Sequence, residues 1–415
     1  MTDTLSFAQV RAHLLARDEI ALVDLREEHP FAQAHPLWAA NLPLSRIAPD
    51  VRRRIPRRDT LIVLYGEDDA GNDLVAHGAA AFDALGYTNV HALEGGLDGW
   101  RAAGGELFRD VNVPSKSFGE LVEHERHTPS LSAAEVKALL DARADVVVLD
   151  ARRFDEYQTM SIPSATSVPG AELVLRVRAL APDPATQVVV NCAGRTRSII
   201  GTQSLVNAGI PNPVAALRNG TIGWKLAGQV LDHGAVRRAP STLDAAQRAK
   251  AQADARGVAE RAGVQWIAPA ALPSLETPGR TLYRFDVRTP EEYTAGHLPG
   301  FASAPGGQLV QETDHAVPVR GARIVLVDDD GVRAPMTASW LTQMGWEVYV
   351  LAPVDVALFS EPGAPGAAHS AGAQRYRRPY EGTDAPAEAM QAYLDWEFGL
   401  VAQLGRDGTH HFRVL

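Results

Sequence analysis

Cysteine is all but missing from this chain: Cys192 is the one thiol among 415 residues. A lone cysteine excludes an internal disulfide, a multi-thiolate metal site and a Cys-x-x-Cys redox pair. No apolar run approaches the roughly 20 residues that cross a bilayer, and the stretch from Met1 to Ile20 lacks the apolar block of a secretion signal. A soluble, cytoplasmic protein without a membrane partner is therefore expected. Basic charge is short as well. Lys and Arg number 40 against 50 Asp and Glu, a formal net charge of −10, which argues against a broad face for nucleic acid. Any anion site has to be local.

What the chain does have is repetition. Leu22-Val23-Asp24-Leu25-Arg26, Val148-Leu149-Asp150-Ala151-Arg152 and Arg284-Phe285-Asp286-Val287-Arg288 are three short apolar runs, each ending in Asp-x-Arg. A second apolar run follows each of them, at Leu61 to Tyr65, Gln187 to Asn191 and Arg323 to Val327, and then a loop and a helical pattern. Those helices stop near Gly86, Gly209 and Gly345, where glycine suits a left-handed C-cap. Apolar strands without polar alternation, separated by helical stretches, predict parallel sheets covered on both faces.

The fold class expected is thus α/β, with three tandem domains at 1–112, 128–235 and 260–355 and a helical C-terminal tail at 374–415. Asn112 to Pro129 and Ala235 to Gly263 read as connectors, the second carrying a solvated helix. Glu361 to Ala373 reads as a Gly/Pro/Ala linker. A helix is expected from about Pro386 to Leu404, with an apolar stripe of Met390, Tyr393, Leu394, Phe398 and Val401 that needs a surface to cover.

The chemistry concentrates in the loop after the middle copy's second strand, Cys192-Ala193-Gly194-Arg195-Thr196-Arg197-Ser198. A thiol there sits at the carboxyl end of a parallel strand and beside a helix N-terminus, where open α/β sheets place their ligands. Free N–H groups, the helix dipole and two guanidinium groups are expected to lower the thiol pKa well below the roughly 8.5 of free cysteine. The same groups would hold an anionic substrate.

These features resemble the rhodanese-type sulfurtransferases, whose repeat joins Asp-x-Arg, a strand ending in the catalytic cysteine, a six-residue loop and a Gly-rich turn closed by Trp. The turns are Leu93-Glu94-Gly95-Gly96-Leu97-Asp98-Gly99-Trp100 and Leu217-Arg218-Asn219-Gly220-Thr221-Ile222-Gly223-Trp224, and the likeness covers nearly all of residues 5–355. It implies that Cys192 takes sulfane sulfur from thiosulfate or a similar small anionic donor, holds it as a persulfide, and passes it to cyanide or a thiol. The tail from Arg377 also looks like the ending of bacterial multidomain rhodaneses. No metal and no organic cofactor are called for, and a homodimer is left open. With no other cysteine to resolve the persulfide, the acceptor has to come from outside the chain.

The expected site is Cys192 as catalytic residue, with Arg195, Arg197, Gly194, Thr196 and Ser198 binding the donor. Arg152 is the weakest member, because its Asp-x-Arg pair recurs beside loops that lack cysteine and so reads as structural. Gly66 stands at the cysteine position of the first copy and Asp329 at that of the third, so the outer domains are expected to be silent. The family's Gly-His-Ile-Pro segment survives as Gly296-His297-Leu298-Pro299 but reads Met160-Ser161-Ile162-Pro163 in the middle copy. Asp328-Asp329-Asp330 reads as a solvated acidic loop rather than a magnesium site, and Trp100 and Trp224 as packing residues. His410-His411 lacks the partners of a metal site.

Two other classes compete. Dual-specificity phosphatases also place a thiolate in an arginine-bearing loop, but theirs resembles Cys-x5-Arg whereas Cys192 to Arg197 is Cys-x4-Arg, a tighter cradle that suits sulfur better than phosphate. A non-catalytic binding or scaffold protein is the other reading, and the intact Cys192 argues against it.

Overall fold

The computed structural model describes residues 3–67, 73–365, 375–382 and 384–415. Asp68 and Asp69 of the first copy's loop, and 366–373 of the expected linker, lie outside them. Three five-stranded sheets follow one another along the chain. The first holds β1 (Thr4–Leu5), β2 (Ile20–Asp24), β3 (Ala39–Asn41), β4 (Leu61–Tyr65) and β5 (Val90–Leu93) in the order β1-β5-β4-β2-β3. The second holds β6 (Ser130–Leu131), β7 (Val146–Asp150), β8 (Thr166–Ser167), β9 (Gln187–Asn191) and β10 (Val214–Leu217) in the order β6-β10-β9-β7-β8. The third holds β11 (Gln265–Ile267), β12 (Leu282–Asp286), β13 (Ala302–Ser303), β14 (Arg323–Val327) and β15 (Glu347–Leu351) in the order β11-β15-β14-β12-β13. Their pairings are parallel. The central strands are Val, Ile and Leu runs because helices cover both faces of each sheet.

Register settles which loop residues correspond. Asp150 pairs with Asn191 across β7 and β9, and Asp286 with Val327 across β12 and β14. The residue that follows the strand, Cys192 in the middle domain, is therefore Asp328 in the third, and Asp329 matches Ala193. The expected equivalence of Asp329 and Cys192 is off by one. In the first domain Asp24 pairs with Tyr65, which leaves Gly66 at the cysteine position.

The outer domains share one hydrophobic core, to which the tail adds Leu400, Leu404 and Phe412. Trp38 and Trp346 meet edge to face at 6.1 Å, with the Arg320 guanidinium lying over both rings. The middle domain has separate clusters. Two connectors turn out to be structural. Asn112 to Pro129 folds as the helix Val113–Arg126, buried along most of its length between domains. The helix Ala245–Ala262 is not simply solvated: Ala251, Ala255, Val258 and Ala259 are buried, small side chains that let the helix lie close against its neighbours. Gly86, Gly209 and Gly345 do take positive φ, of 85°, 66° and 85°. Trp100 and Trp224 are buried, their indole N–H groups donating to the carbonyls of Glu106 and Val230 at 3.0 and 2.8 Å. His410 and His411 bond to the backbone at Phe412 and Leu14. Among the described residues no helix is long and apolar enough to cross a membrane.

The tail forms two helices, Ala387–Phe398 and Leu400–Asp407, rather than one through Leu404. Phe412 is wedged between Trp38 and Phe118, with ring centroids 5.8 and 5.2 Å away. Trp38 donates to the Thr409 carbonyl and Gln403 to that of Leu107. Anchored there on the first domain, the tail reaches across the middle one.

Candidate active site

The helix Thr196–Asn207 begins as soon as the Cys192 loop ends, so its first turn points free N–H groups back at the loop. Among the described residues, the backbone N–H groups from Ala193 to Arg197 meet no acceptor. The floor is pinned from the other side by the Asn219-Gly220 turn: the N–H groups of Thr221 and Ile222 donate to the carbonyls of Cys192 and Ala193 at 2.9 and 3.0 Å. Gly220, at φ 54°, has to be glycine, because a Cβ there would lie 2.7 Å from the Gly194 carbonyl oxygen.

Cys192 lies at the bottom, 2% exposed. Its thiol donates to the Ser198 hydroxyl at 3.4 Å, and that hydroxyl donates to the Arg195 carbonyl at 2.8 Å. Burial pushes the thiol pKa up, and the opposing pull of Arg197 and Ser198 does not overcome it. The expected lowering of the thiol is thus not what the closed site produces, because desolvation outweighs the nearby cation. Two of the expected arginines also turn elsewhere. Arg195 points away from the thiol to Glu120 at 2.7 and 2.8 Å, to Glu123, and to Asn219 at 3.1 Å. Arg152 is spent on Asp150 at 2.7 Å and the Met160 carbonyl. The same Asp-x-Arg pair appears as Arg26 with Asp24 and Arg288 with Asp286, so it holds the loop base in all three copies.

Arg197 does stand beside the cysteine, where the two charges interact. It is bound through both terminal nitrogens to Glu156, at 2.7 and 2.8 Å. Sequence reading missed Glu156, and the third domain reveals its role: Arg333 forks onto Glu292 in the same manner at 2.6 and 3.1 Å. Asp150, Glu156, Cys192 and Arg197 map onto Asp286, Glu292, Asp328 and Arg333 at one constant offset. Against the upward push of burial, Arg197 and Arg333 hold Glu156 and Glu292 down at about 2, from an ordinary 4.5. A carboxyl whose pKa falls on folding contributes stability that is fully present above pH 4.5 and is lost as pH drops through about 2. Glu156→Gln should therefore flatten the stability curve between those values in acid denaturation, and an unchanged slope would remove the pair from that role.

The third domain shows what such a loop holds. Asp328 accepts from the N–H groups of Gly331, Val332 and Ala334 at 3.0, 3.1 and 2.7 Å, so a carboxyl from the chain itself fills the cradle. Burial and the neighbouring Asp330 push its pKa up. Asp328 and Asp330 are buried and Asp330 is bound to Arg333, which corrects the picture of a solvated acidic loop. Among the described residues no group of three His, Cys, Asp or Glu could hold a metal ion.

The remaining loop residues complete the picture. Thr196 turns its methyl group to Gly119 of the linker helix, and its hydroxyl has no partner among the described residues. Gly194 lies under the tail, where a Cβ would come within 3.3 Å of both the Tyr393 ring and Glu397 Oε2. The tail is the main feature the sequence left without a role. Ala193 and Ile222 are packed beneath Tyr380, Met390, Tyr393 and Leu394, so the stripe with no visible partner covers the cysteine loop. Phe398 is exposed, with its ring under the Arg195 guanidinium. The cover is latched by Lys116, whose ammonium pairs with Asp110 at 2.6 Å and lies 5.1 to 5.8 Å from the rings of Tyr393, Trp396 and Tyr380.

A rhodanese-like domain model matches residues 6–103, 132–227 and 275–352, together more than half of the chain. The chain belongs to the rhodanese-like family. Along its full length it superposes on the crystal structure of a thiosulfate sulfurtransferase from Pseudomonas aeruginosa, with a TM-score of 0.96, 53% identity and 100% of each chain covered. An uncharacterized Synechocystis sp. protein is 32% identical over 101 residues, which are 24% of this chain and 54% of that protein, so this rhodanese spans about half the length of that curated relative.

Proposed function

We propose that this rhodanese-type transferase moves sulfane sulfur from thiosulfate or a similar anion to cyanide or a thiol through Cys192. The observation that carries the reading is the cradle: the one thiol of the chain occupies the position whose third-domain counterpart is a carboxyl bound by loop N–H groups. The full-length likeness to a thiosulfate sulfurtransferase supports the same donor.

In the first half-reaction the Cys192 thiol gives its proton to solvent, and the thiolate attacks the outer sulfur of thiosulfate. A carbon-bound sulfur–sulfur bond forms, the sulfur–sulfur bond of the donor breaks, and sulfite departs with its electron pair. Arg197 and the Ser198 hydroxyl favour the thiolate, and the N–H groups from Ala193 to Arg197 face the negative charge of donor and persulfide. In the second half-reaction cyanide or a thiolate attacks the outer sulfur, and Cys192 leaves as thiolate. The arginines steady the loop rather than grip the donor, because each is already bound to a carboxylate.

Initial rates test the cycle. Varying thiosulfate at several cyanide concentrations should give parallel double-reciprocal lines, the signature of a covalent intermediate formed before the acceptor binds. Intersecting lines would mean that both substrates bind together and that no persulfide is held.

A further inference from the structure

Glu397 is a carboxyl group facing the catalytic loop with one oxygen unclaimed. It is 1% exposed. Its Oε1 accepts from the Tyr393 hydroxyl at 2.9 Å, while Oε2 has no hydrogen-bond partner among the described residues. That free oxygen is the atom lying 3.3 Å from where a Cβ on Gly194 would sit, so it is aimed at the cradle. A buried polar atom without a partner costs on the order of a hydrogen bond and calls for an explanation. A ligand in the loop would supply one.

We propose that Glu397, in its protonated form, is a substrate-contact residue whose Oε2 hydroxyl donates a hydrogen bond to the anionic end of the sulfur donor held against the Cys192 loop. The proposal rests on Cys192 being the sulfur-accepting residue. The surroundings favour a neutral carboxyl. Arg195 is taken by Glu120 and Glu123, Arg197 by Glu156 and Lys116 by Asp110, so no free cation faces it among the described residues. Tyr393 and Tyr380 line the same space, and Cys192 stands near enough for its charge to be felt. Burial pushes the Glu397 carboxyl up to about 8, with Glu120 adding to the push and Lys116, Tyr393 and Arg195 opposing it. Below that value the group is a donor matched to the sulfonate oxygens of thiosulfate. Above it, the group is a second negative charge in a closed site, and it repels both the dianion and the ionising thiol.

The ionisation of one tail residue thus selects anionic donors at neutral pH and excludes them at alkaline pH. No electron or atom transfer passes through it: the carboxyl keeps its proton and contributes a hydrogen bond.

The test is the pH dependence of kcat/KM for thiosulfate in the full-length protein. Wild-type kcat/KM should rise with pH as the buried thiol ionises and stop rising above about pH 8, where Glu397 gives up its proton. Glu397→Gln, an uncharged donor of the same shape, should go on rising past that point and exceed wild type about tenfold at pH 9.5. Glu397→Leu, which donates nothing, should raise KM for thiosulfate roughly 10- to 100-fold below pH 8, the value of one hydrogen bond to a charged group. Superimposable profiles for wild type and Glu397→Gln, or an unchanged KM in Glu397→Leu, would overturn the proposal. Failure of the wild type itself to release sulfite from thiosulfate would instead sink the reading of Cys192 on which it rests.

Discussion

Cys192→Ser should abolish sulfur transfer, with kcat lowered on the order of 10⁴-fold or more, because removal of a covalent nucleophile disables every step that passes through it. The fold should survive. A hydroxyl replaces a thiol of similar size, can keep the bond to Ser198, and leaves the Arg197–Glu156 pair untouched. The measurement is cyanide-dependent thiocyanate formation beside a thermal melt. Residual turnover within tenfold of wild type would move the chemistry elsewhere, and the chain holds no other thiol to receive it.

The second large effect concerns Arg197. Replacing it with Leu strips the partner from Glu156, whose side chain is about a quarter exposed, and removes the cation that opposes the upward push on the thiol. Breaking a fully buried pair costs about 3–5 kcal/mol, and the partial exposure of Glu156 reduces that to about 2–3 kcal/mol here. The thiol should titrate at still higher pH, seen as an alkaline shift in the rate of iodoacetamide alkylation. Arg333→Leu supplies the control, since it breaks the equivalent pair in the third domain. It should also lower stability while leaving the Cys192 alkylation curve where it was. If both variants move the curve alike, the Arg197 effect is one of general stability and not of charge beside the thiol.

These outcomes separate what a local pattern can reveal from what it cannot. The strands, the glycine caps and the Cys192 loop were legible because each depends on neighbours within a few residues, and the parallel sheets follow from apolar runs that need cover on both faces. The fate of Arg195 was not legible. Its partners Glu120 and Glu123 lie on a helix that reads in sequence as a connector, and only packing brings that helix against the loop. The thiol pKa went astray for a related reason. Helix and arginines argue for a low value, but the tail that buries the loop lies some two hundred residues downstream, as the distance from Ala193 to Tyr393 shows. The one-residue error at Asp329 was a matter of register, which strand pairing fixes and motif matching does not.

The two domains without a cysteine acquire a physical role in the same way. The first and third share a core with the end of the tail, and the tail crosses from that core to the cysteine loop. The two copies without a cysteine in the loop hold the cover of the copy that has one. In the third, Asp328 closes the loop with the chain's own carboxyl.

The central claim is that Cys192 itself carries the transferred sulfur, and intact-protein mass spectrometry after brief exposure to thiosulfate tests it most directly. The account predicts a gain of one sulfur atom on the wild-type chain, reversed by cyanide and absent from Cys192→Ser. A wild-type mass that stays unchanged while thiocyanate accumulates would contradict it.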